Sequence, residues 1–105
     1  DLFNYGGSGY VWVPGVAVDG SGKVHVTGSA PYPESTIRQW FTREGTQTSP
    51  GVWWWTTTDQ FKFATGYFAT GQEIAIDATG NVFTAGQAND SGTIDNWIVR
   101  RKLAP

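Results

Sequence analysis

The sequence contains no cysteine, no methionine and only one histidine, and charged residues are few. The absence of cysteine excludes disulfides, thiolate–metal sites and cysteine nucleophiles. A net charge of −2 argues against a nucleic-acid surface or a polybasic membrane patch, since both need clustered cations. Apolar runs fall short of the roughly 18 residues of a membrane span, and no signal peptide is visible. Because methionine is missing, we expect that residues upstream of Asp1 were removed or omitted.

Glycine and aromatic residues are abundant instead. The 105 residues are enough for one modest domain, and they include 14 glycines, 6 tryptophans, 6 phenylalanines and 4 tyrosines. Glycine adopts the positive φ angles of tight turns, and aromatic side chains suit a pleated, half-buried surface. This composition predicts many short strands joined by tight turns.

The chain also repeats itself. At a spacing of 58 residues, eight positions within residues 1–30 are identical to those within 59–88, as in "GVAVDGSGKVHVTGSA" against "EIAIDATGNVFTAGQA". After a one-residue deletion, "TIRQWFTR" (36–43) aligns with "TIDNWIVR" (93–100), which pairs Trp40 with Trp97. Residues 49–58 have no counterpart. We therefore divide the chain into repeat one, 1–58, and repeat two, 59–105, of a single unit.

Each repeat is predicted to consist of strands. Apolar and polar residues alternate on both sides of "DGSGK" and "DATGN", which have the composition of hairpin turns. Four strands in a meander, repeated at this period, indicate β-propeller blades. The predicted fold is all-β, with two four-stranded antiparallel blades and no helix. The predicted strands span 15–19, 24–30, 36–43, 52–63, 73–77, 82–88 and 95–102.

The duplicated segments resemble a known family. "GVAVDGSGKVHVTGSA" and "IAIDATGNVFTAGQA" are similar to the bacterial β-propeller repeat of the SBBP type, and "NWIVR" fits the third strand of such blades. The repeat of 58 residues is longer than is usual for that family. The resemblance implies a secreted or extracytoplasmic bacterial protein, and it implies no catalytic activity or cofactor.

Two blades cannot close a propeller. Left alone, they would expose unpaired strand edges and an apolar flank. We expect the ring to be completed by copies of the chain, three for six blades or four for eight, or by neighbouring blades of a longer chain. Residues 1–5 align with 59–63 at the end of the fourth strand, so we expect them to pair with residues 97–102 of a neighbouring chain or blade.

The polar residues offer little chemistry. Asp19 with Ser21, and Asp77 with Thr79, faintly resemble calcium loops, but one carboxylate per loop favours hairpin turns. His25 aligns with Phe83 and is predicted to lie on a packed face. Hydrolase, zinc-protease and phosphate-loop motifs are missing. The remaining carboxylates hold no motif-bound position that would pair them for glycoside hydrolysis: Glu34, Glu44, Glu73, Asp90 and Asp95.

The aromatic residues are the better candidates for a binding site. Strand alternation puts Trp53 and Trp55 on one face of the fourth strand, and Tyr10 and Trp12 lie just before the first strand. Such rings could stack on a sugar, although they could equally fill the space between blades. The function we infer is a non-catalytic, lectin-like binding module with a glycan bound between blades. The alternative is a scaffold, or an engineered fragment of a larger secreted propeller, without a ligand of its own.

The same alternation predicts the core. Residues equivalent in the two repeats are expected to be buried in equivalent surroundings. They are Val16, Val18, Val24, Val26, Ile37, Trp40, Ile74, Ile76, Val82, Trp97 and Ile98.

Overall fold

The computed structural model describes residues 11–31, 37–64, 66, 68–90 and 95–104, and within these ranges the regular structure is entirely β. The first sheet contains β1 to β4 in chain order, and the second contains β5 to β7, with all neighbours antiparallel. The strands are β1 (Trp12–Val18), β2 (Val24–Pro31), β3 (Arg38–Ser49), β4 (Val52–Phe61), β5 (Ala69–Ile76), β6 (Val82–Asn89) and β7 (Asp95–Lys102). The all-β prediction is confirmed, and the two sheets contain the four strands and the three strands that the sequence predicts within the chain. Those residues form no helix long and apolar enough to cross a membrane.

The two sheets have the same strand register. Ser29 pairs with Trp40 in the first sheet, and Gln87 pairs with Trp97 in the second. These four residues are related by the spacings found in the sequence alignment. The pairing of β1 with β2 and that of β5 with β6 are also interrupted by a register shift at equivalent positions. The duplication seen in the sequence is therefore a duplication of sheet structure.

Glycine is required at two pairs of equivalent positions. Gly22 and Gly80 have φ angles of 88° and 91°, which the tight turns after β1 and β5 need and which other residues adopt at a cost. Gly28 lies so close to β1 that a Cβ atom would collide with the carbonyl oxygen of Trp12, and Gly86 lies equally close to β5. The positive φ angles and the close backbone contacts explain why both repeats have glycine at these positions.

The core lies between the sheets, where β5 packs against β1, β2 and β3. Trp40 is 0% exposed, and its indole N–H donates a hydrogen bond of 2.9 Å to Thr27 Oγ1. Gly71 of β5 lies directly against this pair, so the absence of a side chain allows the close approach. Phe61 meets Trp40 edge to face, with ring centroids 6.0 Å apart. Burial of this cluster, which also contacts Ile98, holds the sheets together.

An ion pair joins the sheets beside this core. Arg100 of β7 donates two hydrogen bonds to the Asp59 carboxylate on β4, one of them 2.8 Å long from Nη2 to Oδ1. The hydrogen bond to Asp59 raises the pKa of Arg100 above its usual value. The guanidinium carbon also lies 4.4 Å from the centre of the Phe61 ring, within the range of a cation–π contact. The two-pronged contact fixes the position of β7 relative to β4.

The core prediction is partly wrong. Trp40 and Val82 are buried as expected, but Val16 and Val18 are 66% and 63% exposed, and Trp97 is 84% exposed. The reason is that, among the described residues, the two sheets cover each other on one face, and these three residues point away from the other sheet. The remaining predicted core residues are half-buried: Val24, Val26, Ile37, Ile74, Ile76 and Ile98.

The third strand is longer than predicted. It continues to Ser49, because its second half pairs with β4 through a tight turn at Pro50 and Gly51, where Gly51 has a φ of 76°. The strand pairing expected of residues 1–5 lies outside the described residues.

Candidate functional site

Two tryptophans meet on the outward face of the first sheet. In the pairing of β3 with β4, Trp55 lies opposite Gly45 and Trp53 lies opposite Gln47. A Cβ atom at Gly45 would lie 2.8 Å from three atoms of the Trp55 ring, so the indole covers the space that a side chain there would occupy. The glycine therefore allows the ring to lie across the strand.

The rings form one wall of a hollow. The centroids of Trp53 and Trp55 are 6.3 Å apart, and their planes are tilted by 31°. The hollow measures about 620 Å³ and is also lined by Val24, Arg43 and Gly51. Trp53 is 39% exposed, while Trp55 and Arg43 are half-buried. Both indoles are therefore held by the strand pairing beside a space that a ligand can enter.

Arg43 adds a polar group to this aromatic surface. Its Nη1 donates a hydrogen bond of 2.7 Å to Thr57 Oγ1, which lies across the strand from it. A positioned guanidinium presents several N–H donors in one plane, and an indole offers a broad apolar face. Together they suit a flat ligand that has apolar C–H groups on one side and hydroxyl groups at its rim.

The structure brings together two of the four predicted site residues. Trp53 and Trp55 line the hollow, but Trp12 does not, because it pairs with Ser29 near the opposite end of the sheet. Trp12 is 42% exposed there. Tyr10 lies outside the described residues. Among the described residues, the hollow therefore contains the tryptophan pair of β4 and not Trp12.

Sequence reasoning missed Arg43, Val24 and Gly51. Alternation along β3 puts Arg43 on the same face as Gly45, so the signal was present in the sequence. Recognising it required the register between β3 and β4, which places Gly45 opposite Trp55. That register contains two shifts and is not evident from the pattern of residues.

A second hollow, of about 510 Å³, lies between the two equivalent turns. At its centre Glu44, 8% exposed, accepts a 2.8 Å contact from Lys23 and a 3.7 Å contact from Lys102 of the other sheet. Burial works to raise the pKa of Glu44, but the two lysines outweigh it and hold the pKa below its usual value. The hydrogen bond to Glu44 in turn raises the pKa of Lys23. These charges neutralise one another across the two sheets.

Each turn uses its own aspartate. Oδ1 of Asp19 accepts hydrogen bonds from the Ser21 hydroxyl and from the backbone N–H groups of Ser21 and Lys23. Asp77 is held in the same way by Thr79 and Asn81. Hydrogen bonds from Asn81, and then from Thr79, lower the pKa of Asp77 to about 2. The loops are hairpin turns, and the described residues contain no cluster of three side chains suited to a metal ion.

His25 is buried in the first sheet, as expected of a packed face, with an exposure of 3%. Its Nε2 lies 2.9 Å from Oδ2 of Asp19. Burial works to raise the pKa of Asp19, but hydrogen bonds, first among them that from His25, lower it well below the usual range. Because the Ser21 hydroxyl donates to Asp19 and not to the imidazole, these three residues do not form a nucleophile–base–carboxylate chain.

No family model matches the sequence, and searches of the curated proteins and of the solved structures return no significant match.

Proposed function

We propose that the protein is a non-catalytic binding module, built of two β-propeller blades, which binds a sugar ring in the hollow beside Trp53 and Trp55. The observation that carries this proposal is the pair of tilted indoles, 6.3 Å apart and bordered by Arg43. Stacking on an indole buries the C–H face of a sugar, while a guanidinium donates to its hydroxyls. Binding sites of this kind combine apolar walls with a few placed polar groups.

The blade assignment is supported by how the two sheets repeat. They share one register, one bulge position and one type of turn, and they pack face to face. The resemblance of the duplicated segments to the SBBP-type repeat supports the same assignment. It also supports a location outside the cytoplasm.

The hollow belongs to the first sheet alone. Gly51, Trp53 and Trp55, which line it, belong to β4 and to the turn before it. The described part of the second sheet consists of β5 to β7 and contains no strand equivalent to β4. The first half of β4 therefore supplies the aromatic wall.

A scaffold without a ligand is the second candidate. It is favoured by the apolar residues on the outward faces of both sheets, of which Val16, Val18 and Trp97 are each more than 60% exposed. Exposed apolar patches of this kind are typical of interaction surfaces. None of these three residues lines the indole hollow.

Calorimetric titration of the protein with a panel of mono- and disaccharides tests sugar binding. Trp53→Ala removes one stacking surface and is expected to weaken binding at least about tenfold, equal to about 1.4 kcal/mol. Trp54→Ala is the matched control, since Trp54 points to the opposite face of the same strand and is 69% exposed. Trp53→Phe should retain part of the affinity. If no sugar binds, or if the Trp53 and Trp54 variants lose affinity equally, the proposal is wrong.

A further inference from the structure

The two sheets stack through faces that differ from each other. The first sheet contributes the Trp40 face, composed of His25, Thr27, Trp40, Thr42 and Glu44, which are all at most 8% exposed. The second sheet contributes the Arg100 face, composed of Ile74, Val82, Thr84, Ile98, Arg100 and Lys102, which supplies the contacts to Asp59, Glu44 and the core. The stacking is head to tail, because one face of one sheet meets the opposite face of the next.

Each sheet also has an outward face. The second sheet exposes the Trp97 face, composed of Phe83, Ala85, Gln87, Trp97, Val99 and Arg101. The first sheet exposes the Arg43 face, composed of Val16, Val18, Val24, Val26, Arg43 and Gly45. Within the described residues, neither face is covered by the other sheet.

The sequence repeat relates these four faces in pairs. Trp97, Val99 and Arg101 of the Trp97 face align with Trp40, Thr42 and Glu44 of the Trp40 face, at the same strand register. Val16, Val24 and Arg43 of the Arg43 face align with Ile74, Val82 and Arg100 of the Arg100 face in the same way. The uncovered faces therefore correspond to the two faces that already pack together inside the chain.

Residues on the two uncovered faces are more exposed than the aligned residues that are buried between the sheets. Trp40 is 0% exposed and Thr42 is 2% exposed, whereas the aligned Trp97 and Val99 are 84% and 55% exposed. On the other face, Val16 is 66% exposed, while its equivalent Ile74 is half-buried between the sheets. Apolar residues at positions that are buried in one copy are left open in the other.

Some residues on the two uncovered faces differ from the aligned residues inside the chain, but the pairs remain compatible in size and in charge. Inside the chain, Thr27 of the first sheet faces Gly71 of the second. Ala85 aligns with Thr27 and Val13 aligns with Gly71, so the larger residue of the aligned pair lies on the opposite face. Glu44 likewise faces Lys102, and the residues that align with them are Arg101 and Gly45, respectively. These exchanges avoid both a clash of volume and a like-charge contact.

We propose that the Trp97 face of one chain binds the Arg43 face of a second copy of the chain, in the geometry in which the two sheets of one chain already stack. This contact places Arg101 of one copy opposite Gly45 of the other copy. The Trp55 indole of that second copy lies over Gly45. A guanidinium on an indole face is a favourable cation–π contact. The second copy thus borders the aromatic hollow with Arg101. The proposal does not depend on sugar binding.

A contact between two different faces leaves one free face at each end. Further copies can bind at these free faces, until the assembly closes into a ring or grows into a polymer. We expect sedimentation velocity of the 105-residue protein to show species of three or four times 11.4 kDa. Trp97→Asp and Val16→Asp each place a charge in the proposed contact and should yield monomers, with association weakened at least about a hundredfold. Trp54→Asp is the control and should assemble normally, because Trp54 pairs with Thr46 on the Trp40 side of the first sheet, which takes no part in the proposed contact.

The decisive experiment mixes the two monomeric variants. The Trp97→Asp variant keeps an intact Arg43 face, and the Val16→Asp variant keeps an intact Trp97 face, so together they should form a one-to-one dimer and nothing larger. A contact between identical faces would leave one of the two variants dimeric on its own and would give no mixed dimer. Circular dichroism confirms that each variant is folded, and Val99→Asp with Val18→Asp repeats the test at neighbouring positions. A monomeric wild type, a Trp97→Asp variant that still assembles, or a mixture that remains monomeric would each overturn the proposal.

Discussion

The hydrogen bond between Trp40 and Thr27 should contribute measurably to stability. Thr27 Oγ1 accepts the indole N–H of Trp40 at 2.9 Å and donates to the Phe41 carbonyl at 3.0 Å, and both side chains are 0% exposed. Thr27→Val keeps the shape of the side chain but removes the acceptor, leaving a buried N–H without a partner. We expect a loss of about 2 kcal/mol in the free energy of unfolding, within the range of about 1–3 kcal/mol for such groups.

A double-mutant cycle separates this hydrogen bond from other effects of the substitution. Trp40→Phe removes the N–H, so adding Thr27→Val to that variant should cost about 1 kcal/mol less than it does in the wild type. Urea unfolding followed by far-ultraviolet circular dichroism provides the four free energies. All four proteins are measured at one concentration, since self-association adds to apparent stability. If Thr27→Val costs the same in both backgrounds, the hydrogen bond does not stabilise the fold and our reasoning is refuted.

Two further predictions concern glycine and acid. Gly28→Ala should destabilise the fold by about 3 kcal/mol, because the added methyl group meets the backbone of β1 and no rotamer can relieve the overlap. Gly20→Ala, where nothing lies within 4 Å, should change stability by less than about 0.5 kcal/mol, and equal losses in urea unfolding would contradict the close approach. Asp77 has a folded-state pKa of about 2, below the unfolded value of about 3.9, so its contribution is present above about pH 4 and is lost as the pH falls towards 2. Asp77→Ala should therefore flatten the dependence of stability on pH between those values, as measured by urea unfolding at each pH, and an unchanged slope would argue against the turn hydrogen bonds.

Much of the fold could be predicted from the sequence because its signals are local. The alternation on both sides of Gly22 and Gly80 defines two hairpins, and these glycines mark turns that require positive φ angles. Trp40 and Trp97, which align in the sequence, also occupy equivalent register positions, opposite Ser29 and Gln87 respectively. Such features depend on residues that are close together in the chain or are repeated at a constant spacing.

The tertiary structure decided which faces are covered and which residues form the site. Trp40 and Trp97 have the same local sequence pattern, yet one is buried and the other is 84% exposed, because burial depends on whether another sheet lies above the residue. Arg43 and Trp55 share the aromatic hollow only because β3 and β4 pair in a register that contains two shifts. The alternation of apolar and polar residues along a strand indicates only that its two faces differ. What packs against each face depends on contacts between segments that are far apart in the chain, and the order of residues along one strand does not contain that information.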